Sequence, residues 1–215
     1  MYSMTHTLKS VLNPTLTLCA LAAFLATPAS MQAQERLPLE QAQRFAKFIH
    51  QDPKLLEALP LKVEADVTKP MAIRDEEHGG LLIPDARLTV ESLAKVGTNA
   101  VPVGELWLRL LGVRKDYDVV PASQLNVIKF TTDNGQVSAP VYPLAVRQKS
   151  GGGLELLVYG KAKEPLLKLP LKAIDAKQEL PLEADGERGG DGATVTLKIA
   201  GKYQASFEVG ELWMD

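Results

Sequence analysis

Cysteine is nearly absent from this 215-residue chain. The single one, Cys19, lies in an apolar N-terminal stretch. The chain beyond residue 33 therefore has no thiol, which excludes a disulfide, a thiolate metal site and a cysteine nucleophile there. Histidine is almost as scarce. Only His50 and His78 lie beyond residue 33, and His-Glu-x-x-His does not occur. Two histidines so far apart make a poor zinc site, which wants three or four ligands. No Gly-x-Ser-x-Gly occurs, and Gly151-Gly152-Gly153 fits no phosphate-cradling pattern. Charge of one sign is missing too. The 24 Lys+Arg stand against 26 Asp+Glu, with no basic stripe, so nothing argues for nucleic acid.

Residues 1–33 read as a signal peptide. Lys9 is the only Lys, Arg, Asp or Glu there, Thr15 to Ala26 is apolar, and small residues follow. Cleavage is expected after Ala29 or Ala33. The apolar run is shorter than the roughly 20 residues of a spanning helix, so no membrane span is expected after cleavage. The implied location is the periplasm or the outside of the cell.

Residues 34–58 are the helical segment. Pro38 suits a first turn, and Ala42, Phe45, Ala46 and Ile49 recur at helical spacing up to the break at Asp52-Pro53. A second short helix is expected from Pro53 to Ala58. From Leu59 onward the pattern is β. Leu61, Val63 and Ala65 alternate with Lys62, Glu64 and Asp66, and Leu88 and Val90 alternate with Thr89 and Glu91. Residues 101–111 form a longer strand, with Leu106, Leu108 and Leu110 on one face and Val103, Glu105, Trp107 and Arg109 on the other. Asn134-Gly135 signals a hairpin. Val195, Leu197 and Ile199 alternate before the turn at Gly201-Lys202 and a final strand from Tyr203. Many short strands with little helix predict a mostly β, antiparallel β-sandwich with a short N-terminal helix.

An internal duplication is also expected. Leu59 to Gly80 aligns without a gap on Leu169 to Gly190, and Val103-Gly104-Glu105-Leu106-Trp107 returns as Val209-Gly210-Glu211-Leu212-Trp213. The domain reading is a first β unit with a hairpin insert over 59–150 and a second unit over 151–215, packed on the first.

Two constellations are candidates for function. Trp107 and Trp213, each with its neighbouring glutamate, Glu105 or Glu211, could cover a seam between the units or form an aromatic platform for a sugar or peptide. Asp185, Glu187 and Asp191, in a glycine-rich loop, could supply oxygen ligands to calcium. The loop departs from the EF-hand pattern and carries Arg188. The functional reading is an exported, non-catalytic binding or assembly protein of the bacterial envelope, with an unknown protein or glycan partner. The alternatives are a carbohydrate-recognising module or small glycoside hydrolase with an aromatic face, and a carrier of an apolar ligand.

Overall fold

The computed structural model describes residues 35–74, 78–132 and 135–213. The expected signal peptide, the acidic turn at 75–77 and most of the Asp133-Asn134-Gly135 hairpin turn lie outside the described residues.

The strands are β1 (Glu35–Arg36), β2 (Met71–Arg74), β3 (Gly79–Pro84), β4 (Val101–Arg109), β5 (Leu111–Lys115), β6 (Asp118–Val119), β7 (Asn126–Thr132), β8 (Gly135–Gln148), β9 (Leu154–Tyr159), β10 (Pro165–Pro170), β11 (Lys172–Ala173), β12 (Leu182–Gly189), β13 (Gly192–Ile199) and β14 (Tyr203–Glu211). Helix α1 spans Leu39–Ile49 and α2 spans Val90–Ala94. The strands form two antiparallel sheets. Sheet 1 has the order β1-β2-β3-β4-β8-β9-β10, with β7 also paired to β8. Sheet 2 has the order β12-β13-β14-β5-β6, with β11 also paired to β14. The sheets pack as a β-sandwich, and each draws strands from both sides of residue 150.

Alternation fixes which side chains enter the sandwich. Val195, Leu197 and Ile199 from β13 meet Leu106, Leu108, Tyr142, Leu144 and Leu156 from sheet 1 in one core. Two polar contacts cross it. The Tyr142 hydroxyl accepts from the N–H of Val113 at 3.3 Å, and the N–H of Ala184 reaches Met71 Sδ at 3.2 Å. Burial pushes the Tyr142 phenol well above its ordinary pKa, so the group stays neutral.

The outer face of sheet 1 carries a second apolar layer. Ala72, Leu81, Ile83, Trp107 and Val141 project there and are covered by Ala42 and Ala46 of α1. The two alanines let the helix lie close to the sheet. Phe45, expected on the same face, is displaced to the flank and is 46% exposed.

Four local expectations need correction. Residues 101–111 are not one strand: Leu110, at φ 58° and exposed, separates β4 in sheet 1 from β5 in sheet 2. Residues 61–65 do not form a strand. Only Ala65 bridges, to Asp85, and the segment instead lies as a loop over the outer layer. Residues 88–91 are not a strand either. Thr89 and Ser92 exchange side-chain and backbone hydrogen bonds as a capping box and start α2. Val103 does not share a face with Trp107. A register shift between Pro102 and Gly104 bulges β4 and turns Val103 into the sandwich beside Leu106.

The segments matched in sequence take different places. Leu59–Lys62 is loop, whereas Leu169 and Pro170 end β10. Gly79 and Gly80 lie within β3, whereas Gly189 closes β12 and Gly190 opens the turn.

Candidate functional site

The first pentapeptide builds a buried polar cluster. Glu105 is 1% exposed, and its Oε2 accepts from Trp107 Nε1 at 3.0 Å and contacts His50 Nε2 at 3.1 Å. His50 caps the C-terminus of α1, its own N–H bonded to the carbonyl of Ala46. One carboxylate thus ties the helix end to the sheet. Trp107 packs on Phe130, which meets Phe48 of α1, at centroid separations of 5.9 and 5.8 Å. Nothing in the sequence marked His50 as the partner, because the two residues are 55 apart.

The second pentapeptide ends β14. Glu211 is exposed and Trp213, beyond the strand, is 81% exposed. The two tryptophans therefore form neither a common platform nor a common seam. Trp107 is sealed under α1, on the face of sheet 1 that points away from the sandwich interior.

The acidic loop is a hairpin tip. Gly190-Asp191 joins β12 to β13, with Gly190 at φ 56°. Asp185 pairs with Lys198 at 2.6 Å and Asp191 with Arg114 at 2.7 Å. Arg114 holds the Asp191 carboxyl below its usual range. The structure does not gather Asp185, Glu187 and Asp191 as calcium ligands. Among the described residues no three His, Cys, Asp or Glu side chains are grouped as a metal site.

What the structure does assemble is a notch between the two sheets at one end of the sandwich. Its volume is about 110 Å³. Ile73, Leu108, Leu111, Val195 and Val209 line it, and Arg188, Asp191 and Glu211 stand among its polar lining groups. Arg114 steadies this rim. It lies over Gly210, which is paired directly with Gly112 on one side and Gly192 on the other, and reaches Asp191. A Cβ on Gly210 would lie 2.6 Å from Arg114 Nε. At the opposite end, α2 and residues 176–181 border an open groove of about 360 Å³.

No family model, no curated protein and no solved structure matches the chain.

One further buried charge shapes the scaffold. Asp85 is 2% exposed and accepts from the backbone N–H groups of Glu64 and Arg87 and from the Arg87 guanidinium, at 2.8–3.0 Å. Burial alone would raise its pKa. The hydrogen bonds, chiefly from Arg87, outweigh that and hold it below 3.8. No helix among the described residues is long and apolar enough to cross a membrane.

Proposed function

We propose that this chain is an exported, non-catalytic β-sandwich protein that acts by binding a partner in the bacterial envelope or outside the cell. The order of weak positive start, apolar run and small residues at the N-terminus supports export. The observation that carries the binding reading is the notch, an apolar floor with polar groups of both signs at an accessible end of the fold. That is the composition of a recognition site rather than of a closed core. Its volume, about 110 Å³, is well below the roughly 300 Å³ at which small-molecule pockets begin. It suits one side chain of a protein partner better than an enclosed lipid, which favours partner binding over a carrier. The meanders β2-β3-β4 and β12-β13-β14, one in each sheet, keep the internal duplication within the same proposal.

A photoreactive residue placed at Glu211, on the rim, tests the reading in the intact envelope. A discrete adduct from position 211, and none from the exposed Tyr117 at the β5-β6 tip, is the expected result. Labelling that is the same from both positions, or absent from both, contradicts it.

A second reading has one specific observation in its favour. Trp213 offers an exposed indole that could stack on a sugar ring. A fluorescence change of Trp213 with soluble glycans, and no protein adduct from position 211, selects that reading instead.

A further inference from the structure

The notch lies beside an edge of sheet 2. β12 pairs with β13 on one side and is the terminal strand of the sheet on the other. The ladder fixes which backbone groups face the open side. Gly189 and Gly192 close the two-residue connection Gly190-Asp191, and such a connection closes on a hydrogen-bonded pair. Residues 183, 185, 187 and 189 then bond to β13, and the N–H and C=O groups of 184, 186 and 188 point away from it. The N–H of Ala184 directed at Met71 Sδ confirms this parity. At Ala184 the other sheet closes the edge. Gly186 is half-buried and Arg188 exposed, and Arg188 lines the notch.

The two faces of β12 have different chemistry. Leu182 and Ala184 face the sandwich, in line with Gly186 and Arg188. Glu183, Asp185 and Glu187 form the outer row. A second copy pairing antiparallel through Gly186 would set Asp185 against Glu187 of its neighbour, acid against acid at both positions. Like charges directly opposite disfavour a pair, and this is how sheet edges resist self-association. A strand with basic side chains at those positions meets the reverse condition, most directly at Glu187, because Asp185 already pairs with Lys198.

We infer that the edge of β12 at Gly186–Arg188 accepts an extended segment of another protein as an added antiparallel strand. The segment carries basic residues opposite Asp185 and Glu187, and a small apolar residue between them that turns inward beside the notch. Backbone bonds to Gly186 and Arg188 supply register, and the alternate side chains supply selectivity. This inference rests on the binding reading above and names the chemistry of its partner.

The test uses the mature chain and three peptides: Lys-Val-Lys-Val-Lys, Glu-Val-Glu-Val-Glu, and Lys-Lys-Lys-Val-Val with the composition of the first. The alternating basic peptide is expected to bind and to slow hydrogen exchange at the amides of Gly186 and Arg188. The other two are expected to do neither. Gly186→Pro removes one outward N–H without touching the ladder to β13, and binding should be lost. Glu187→Lys should weaken the basic peptide roughly fivefold, from reversal of one cross-strand charge pair, and should leave folding intact if Gly186→Pro does not. Equal binding of the basic peptide and its rearranged form would mean charge alone attracts it, and would overturn strand addition. So would protection confined to residues other than 186 and 188. A concentration-dependent dimer abolished by Gly186→Pro would make a second copy the occupant and contradict the inference. If Gly186→Pro leaves the adduct from position 211 unchanged, the binding reading stands and strand addition falls. If the adduct itself is absent, the binding reading falls first.

Discussion

The same five residues, Val-Gly-Glu-Leu-Trp, meet opposite fates in this molecule. At 103–107 they run along β4, with the glutamate and indole sealed beneath α1. At 209–213 they end β14, with the glutamate and indole in solvent. The peptides are identical, so the difference comes from register and from what covers each face: the bulge at Pro102–Gly104 turns Glu105 and Trp107 away from the sandwich, and no such shift occurs at Val209. Sheet 1 has a helix with two alanines to lie against its outer face. In sheet 2 Val209 faces the sandwich, so Glu211 falls on that same face where β14 ends and lines the notch, and Trp213 lies beyond the strand. Alternation assigns side chains to faces, and the covering layer decides whether a face becomes core.

The largest contrast is expected at the tryptophans. Trp107→Ala should cost about 3–5 kcal/mol in chemical denaturation, as for a buried aromatic that leaves a cavity. Trp213→Ala should stay within about 0.5 kcal/mol, as for an exposed site. Equal effects would break the comparison.

The glutamates come next. Glu105→Ala leaves the buried Trp107 N–H without its acceptor and frees the cap of α1 from the sheet, at about 2–3 kcal/mol. Glu211→Ala should change stability by less than about 0.5 kcal/mol. The glycines follow. A Cβ on Gly104 would lie 2.5 Å from the carbonyl oxygen of Ile83 and 2.5 Å from Leu182 Cδ1, so Gly104→Ala should cost roughly 1–3 kcal/mol. On Gly210 the nearest atom belongs to a flexible arginine, so Gly210→Ala should cost less and act mainly by loosening the ion pair between Arg114 and Asp191.

The pH dependence sharpens the same contrast between covered and open regions. Asp85 has a folded pKa below its unfolded value of 3.8. Its contribution is complete above that value and is lost as pH falls through the lower, folded pKa. Asp85→Asn should therefore flatten the acid limb of the stability profile, measured by denaturation between about pH 5 and 2. Asp191 is also held low, but it is exposed, and Asp191→Asn should flatten that limb much less.

Much of the fold was legible in the chain because its strands obey period two. Val195, Leu197 and Ile199 alternate and do form β13, and the helix at 39–49 follows its alanines. Failures came where a non-local partner decides. Val63 and Ala65 alternate, but no neighbouring strand takes them up beyond the single bridge to Asp85. Thr89 and Ser92 are spaced as a capping box, although Leu88 and Val90 also fit a strand. Val103 changes face because of a one-residue bulge, which alternation cannot anticipate. The site was less legible than the fold. The polar cluster joins His50 to Glu105 across 55 positions, and the notch gathers residues from β2, β3, β4, β5, β12, β13 and β14. No spacing in the chain encodes those meetings.

The opposite fates of the two pentapeptides can be read directly by iodide quenching of the Trp213→Phe protein, whose one remaining indole is Trp107. The emission should be blue-shifted and almost insensitive to iodide, while the wild-type protein retains a readily quenched component from Trp213. Emission from Trp107 that iodide quenches as freely as an exposed indole would contradict a covered outer face on sheet 1.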